Sequence, residues 1–586
     1  MKNVMKRMMV LLLVMAILAG GTSCLFKSDS ERFDEYIEAS FIGALESFDT
    51  LTRNFLIKNP ENYGLGGGEV FFAPVMPAEE INEELYQSQL DYMETLFRYD
   101  KLTEEQKIIF DIFKYNAELN IIAVKNGFEY YQNYCSGSSS VSSGFLITLA
   151  EFDFYGEHSV KDYLKLLSIL GDHFDEIIKY EKEKAKRGLF MTERSLDRFV
   201  EECEKFIENT ENNVLIVSFK ERIDELEGLE EEKKKEYIEE NKKVFQDTVI
   251  PAYIRIKEEM ELLRDKCTER GLVGTDKGKA FYEYLLKGSA GTDMTINEVK
   301  TLLFDKMEEC WNLMESLIEK DSTLENRLQE AKFSIEKPEE IISALKEMIK
   351  KDFPPAPEVE YTIKYVPEYL QDSLRAAFFM TPPIDAATKN VIYVNNAERY
   401  KNMDVFTNLA HEGYPGHLYQ TAYYSSKQTY NVRRLLSYQG YIEGWASYVE
   451  LHSYEYGGFD EDVKLMMQTE GLYNLLNSVA NDIAINYDGK DLEWLKDLYE
   501  GADAKAIEEY YYGIIEEPCA NMPYTIGALE IMRMRDYAKE SLGTTFNLKE
   551  FHEVILDTGA VPMFILQDKV ESYIKLRSQA ERIAAA

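Results

Sequence analysis

Six histidines are spread over 586 residues, and two of them lie six apart in the run His411-Glu412-Gly413-Tyr414-Pro415-Gly416-His417. This spacing constrains the local fold. On a regular helix a step of six turns the side chain through about 600°, which leaves His417 roughly 120° away from His411. The two imidazoles can face one point only if the helix is broken between them. Pro415 removes a helical hydrogen bond and Gly416 permits unusual dihedrals, so a break is expected at these two residues.

Two imidazoles and one carboxylate suffice to hold Zn²⁺ with a fourth position open. Downstream, after a gap, comes the candidate carboxylate Glu443 in Tyr441-Ile442-Glu443-Gly444-Trp445-Ala446, on a predicted returning helix. Glu412, beside the first histidine, stands where a general base is needed. Glu450 is seven residues after Glu443, on the same helix face, and can orient a ligand histidine. The bland alternative is a hydrogen-bonded structural histidine pair. His452 is nine residues from Glu443 and points elsewhere; His158, His173 and His552 have no partner pattern, and all four are read as non-ligands.

Composition restricts the class. The net charge of -39 argues against a nucleic-acid partner, because phosphates would be repelled. Residues 1–23 read as an export signal, with Lys2, Lys6 and Arg7 ahead of the apolar run Val10–Leu18. Small residues then precede Cys24, as at a bacterial lipoprotein cleavage site. A plain secretory signal or an uncleaved anchor is the alternative. On the lipoprotein reading, residues 24–34 are a tether, and membrane contact is through a lipid on Cys24 alone. The other five cysteines have no CxxC pair and read as buried thiols.

Helical periodicity dominates, with a helix expected from Phe33 and another opening at Thr103-Glu104-Glu105 on a capping signature. Gly64–Gly68 lacks the Lys-Ser/Thr of a phosphate loop and reads as a turn. Ser136–Ser143 is a loop, read as a plain connector ahead of a mobile lid. Pro354, Pro355 and Pro357 end the helical pattern, and strands are expected at 358–365 and 390–395. The expected division is a helical lobe over 35–350 and a metal-binding catalytic lobe over 351–586.

HEGYPGHLYQ and YIEGWASYVE resemble the signature segments of the bacterial family known as domain of unknown function 885, grouped with the zincin-like metallopeptidases. MPYTIGALEIMRMR and FHEVILDTGAVPMFIL resemble two further segments of that family. The resemblance implies a mainly α, neurolysin- or thimet oligopeptidase-like fold around a deep cleft, with a small β element. It implies one Zn²⁺ per chain on His411, His417 and Glu443, with Glu412 as catalytic base. It also implies that strand 390–395, through Tyr393 and Asn395, is the cleft-edge strand that pairs with a peptide substrate. Ser447 stands where many such enzymes carry Asp.

Tyr524 is the candidate oxyanion donor, ahead of Tyr414 and Tyr512. Arg533 and Arg535 can bind a peptide carboxylate or serve as structural pairs. The functional expectation is a zinc-dependent metallopeptidase. Its rivals are a non-catalytic, surface-tethered peptide-binding protein and a metal-dependent hydrolase of non-peptide amides or esters.

Overall fold

A computed structural model describes residues 27–78, 81–366, 371, 375–386, 389–400 and 405–585. The export signal 1–23 and Cys24 lie outside the described residues. Among those described, no helix is long and apolar enough to cross a membrane. Among the described residues the protein is mainly helical with one small sheet.

The chain forms two compact units. The first comprises Met1–Gly278, Pro383–Ala386 and Gly489–Glu517; the second takes the remainder. The first helix, Asp29–Ser47, starts earlier than hydrophobic periodicity predicts. Ser28 and Glu31 form a capping box that satisfies the open N–H groups, so helix replaces the end of the expected tether. Thr103 and Gln106 make the same device at the start of Glu104–Asn126, as anticipated.

The core of the first unit is apolar side chains at helical spacing. Val160, Tyr163, Leu164 and Leu167 of Glu157–Ser168 share it with Leu170, Phe174, Ile177 and Ile178 of Leu170–Lys186. Each such fully buried side chain contributes roughly 1.5–3 kcal/mol. The late segment Gly489–Glu517 is tied in by Glu516, whose carboxylate accepts from Ser195 Oγ at 2.7 Å and pairs with Arg198. The Ser136–Ser143 stretch is a loop whose Ser136, Ser140 and Ser142 are buried, and Ser142 donates to Glu202 at 2.7 Å.

The second unit starts at Lys279, upstream of the expected 350/351 junction. The physical reason is that Ile296–Lys320 and the next helix, Leu324–Glu330, pack with Glu461–Asp482, where Leu317 and Leu324 meet Val463 and Met466. The composition shift at the prolines therefore marks the approach to the sheet. That sheet has β1 (Glu360–Tyr365), β2 (Ala377–Met380) and β3 (Lys389–Val394) in the order β1-β3-β2. β1 runs parallel to β3, with Ile363 opposite Ile392, and β2 runs antiparallel to β3, with Phe379 opposite Ile392.

Candidate metal centre

The helix Val405–Glu412 buries Phe406, Leu409 and Ala410 and ends at Glu412. The turn that follows is built by the residues singled out in sequence. Gly416 N–H donates to Ala410 O at 2.9 Å and Tyr419 N–H to Gly413 O at 3.1 Å, each closing a wider loop than a helical turn. A Cβ on Gly416 would lie 1.7 Å from His411 O, so the backbone passes where no side chain fits. The Tyr414–Pro415 peptide is cis. Trp445, fully buried on the returning helix Gln439–His452, donates from Nε1 to Pro415 O at 2.8 Å. His417 then opens the next helix, His417–Lys427.

The break brings the three predicted groups together. One ligand atom each from His411, His417 and Glu443 lies within 4.8 Å of the other two. Glu443 Oε2 is 3.5 Å from His411 Nε2 and 3.3 Å from His417 Nε2. Ligand bonds of about 2.0–2.2 Å meeting at tetrahedral angles separate neighbouring donors by about 3.4 Å, so the two separations to Glu443 match those around a tetrahedral cation such as Zn²⁺. Glu450 Oε2 lies 2.9 Å from His411 Nδ1, which turns Nε2 toward the centre, as its helix position predicts.

These groups share a strong field. Burial alone would depress the His411 imidazole, but its hydrogen bonds to Glu443 and Glu450 outweigh burial and carry it up to about 10. Burial would raise the Glu443 carboxyl, yet His411 and His417 hold it well below the usual carboxylate range. A bound cation would replace the proton that now satisfies this cluster.

Glu412 Oε2 accepts from the backbone N–H of Phe379 at 2.8 Å. This contact identifies the strand beside the centre as β2. The expected assignment of 390–395 as an edge strand is overturned, since β3 is hydrogen-bonded on both sides. The Tyr393 ring stacks on Phe378 with centroids 4.8 Å apart. Asn395 is buried, donates to Gln371 O at 2.8 Å and accepts from Ala397 N–H at 3.1 Å, so its side chain is used within the fold. Phe379 N–H points away from β3, and by strand alternation Ala377 N–H and both residues' carbonyls turn to the same outer edge.

Tyr524 enters from the helix Met522–Leu542. Its ring stacks near His411, with centroids 6.2 Å apart, and its hydroxyl accepts from Arg375 Nη1 at 2.8 Å. Burial and the neighbouring Glu443 raise the Tyr524 phenol, against the opposing pull of Arg375. Arg375 was missed in sequence, as it sits in no motif just ahead of a four-residue strand. The Glu443 and Tyr524 helices cross backbone to backbone: a Cβ on Gly527 would lie 2.0 Å from Gly440 O and 2.7 Å from Gly444 Cα.

The weaker candidates fall away. Tyr414 is fully buried, and Tyr512 belongs to the first unit, where it reaches Glu269 at 3.4 Å. Arg533 pairs with Glu530 and Arg535 with Asp536, which makes both structural. His452 lies 3.6 Å from Asp352, and His552 is held between Tyr448 and Asp352 O, at 2.8 and 2.7 Å. Neither of these two, nor His158 or His173, joins the metal cluster among the described residues.

Solved structures share this fold. A protein described as "the putative lipoprotein from Colwellia psychrerythraea" is 19% identical and superposes with a TM-score of 0.80, covering 94% of this chain and all of its own. "A putative lipoprotein of unknown function from Shewanella oneidensis" is 16% identical with a TM-score of 0.60, covering 91% of this chain and 98% of its own. No curated protein matches. The family described as "Bacterial protein of unknown function (DUF885)" matches residues 77–570, which include the whole candidate centre and most of both units. The chain belongs to that family.

Proposed function

We propose that the protein is a zinc-dependent hydrolase of the zincin-like kind, that its substrates are peptides, and that it is an exported lipoprotein held by Cys24. The observation that carries the hydrolase reading is the convergence of His411, His417 and Glu443 within 4.8 Å of one another beside Glu412. When bound there, zinc supplies Lewis acidity and an acidified water. The chain's own residues supply the rest. Glu412 is pinned at Oε2 by Phe379 N–H, so Oε1 is the oxygen that takes a proton and returns it to a leaving amine. Tyr524 OH accepts from Arg375 and keeps its own proton to donate to a developing oxyanion.

The peptide reading is favoured over other amides by the outer edge of β2. Ala377 and Phe379 turn backbone groups to the side where Glu412 lies, and an extended peptide can add to such an edge as a further strand. The lipoprotein reading rests on residues 1–24 and on the descriptions of the two structural neighbours.

Metal analysis of the purified protein tests the central claim. About one zinc per chain is expected, lost in His411→Ala and in His417→Ala. A native protein that takes up no zinc sinks the reading. A peptide library with cleavage sites read by mass spectrometry then separates peptidase from other hydrolase. Cys24→Ser should shift the protein from the membrane to the soluble fraction.

A further inference from the structure

The first unit holds a second candidate site, independent of the metal centre. Of the glycine-rich turn Gly64–Gly68, residues Leu65 to Gly68 line a cavity of about 280 Å³. Gly64 and Gly67 adopt φ of 75° and 69°, the left-handed region that lets the backbone curl there. Lys58 and Asn59 hold another part of the rim, where their N–H groups donate to Asp385 at 2.7 and 2.8 Å. The wall includes the apolar side chains Ile57, Val70 and Phe152.

Two opposite charges line this cavity without meeting. Arg53 and Asp162 are each partly buried, and each lies close enough to feel the other's charge. Neither side chain makes a hydrogen bond or an ion pair among the described residues; Arg53 only lies over the Phe71 ring, at 5.8 Å. Burial is the largest influence on both, lowering the guanidinium and raising the carboxyl; it outweighs His158 and Arg53 at Asp162, and Asp162, Asp49 and Glu46 at Arg53. Half-buried charges left apart are costly, and a ligand bearing both complementary charges would satisfy the two at once. The volume lies near the lower end of small-molecule sites, about 300–1,000 Å³.

We propose that this cavity binds a small zwitterion, an apolar α-amino acid, whose carboxylate pairs with Arg53 and whose ammonium pairs with Asp162 while its side chain lies along Ile57, Val70 and Phe152.

Calorimetric titration of the full chain with L-leucine and L-phenylalanine tests this. One saturable site per chain is expected. N-acetyl-L-phenylalanine, which lacks the ammonium, and L-phenylalaninamide, which lacks the carboxylate, should each bind at least about tenfold more weakly. Arg53→Met should no longer distinguish the amino acid from its amide, and Asp162→Asn should no longer distinguish it from its acetyl form. Circular dichroism melts of both variants check that they fold. Two results overturn the proposal: no saturable binding of either amino acid to the native chain, or acetyl and free forms that bind it equally, which marks an anion site built on Arg53 with Lys58 and His158. Because the readout is binding in the first unit, it stands or falls apart from any zinc at His411 and His417.

Discussion

At the scale of single residues, the proposed function assigns metal holding and proton movement to different side chains. Glu412 touches the site but is no part of the donor cluster, so Glu412→Gln should retain one zinc per chain and lose about 10²–10⁴-fold in hydrolysis. Glu450 acts only through His411 Nδ1. Its change to Gln should weaken zinc affinity by about 10–100-fold, read by competition with a chelator, while kcat at saturating zinc falls much less. Tyr524→Phe should leave zinc content intact and lower kcat by about 10²–10³-fold. That His411, His417 and Glu443 meet, with Glu450 against His411, could be read from the sequence because helix periodicity and the Pro415-Gly416 break fix their directions locally. Arg375 could not, since an arginine's partner across 149 positions leaves no local pattern.

At the scale of elements, the helix break and the helix crossing set the geometry. Gly416→Ala places a methyl against His411 backbone, so the turn must open and His417 must move. The expected outcome is loss of bound zinc with a stability cost of about 1–3 kcal/mol or more, seen together by metal analysis and thermal melting. The break was legible because proline and glycine act locally. Strand order was not. Asn390–Asn395 alternates well as a strand, but alternation does not tell a central position from an edge. β2 is only Ala377–Met380, too short for a periodic signal, and it occupies the edge that the sequence reading assigned to β3. The start at Ser28 was missed for the opposite reason: its Ser-x-x-Glu signal is present, but apolar periodicity is weaker there than after Phe33.

At the scale of the whole molecule, buried histidines tie stability to pH. His552 is neutral in the fold, with one ring nitrogen facing Asp352 O and the other the Tyr448 hydroxyl. Burial depresses it to about 3, helped by His452 and Arg535 and opposed by Asp352. A folded value below the unfolded one, about 6.5, means stability present above pH 6.5 and lost as pH falls toward 3. In the first unit His173 follows the same sign, depressed to about 4 by burial beside Phe72. Melting temperature should therefore drop between pH 7 and pH 5, and the drop should be smaller in His552→Gln.

The return of Pro383–Ala386 and Gly489–Glu517 to the first unit governs how the chain can be made. A fragment ending at Gly278 lacks Asp385, which receives Lys58 and Asn59, and Glu516, which receives Ser195 and Arg198. Expressed alone it should be poorly soluble and quickly proteolysed. On the ribosome the same unit waits for about 240 more residues after Gly278 before its last partner emerges, roughly ten to fifty seconds at about 5–20 residues per second. Through that interval its apolar core is only partly covered, so under the proposed export the chain must be kept unfolded, or chaperoned, until the end of synthesis.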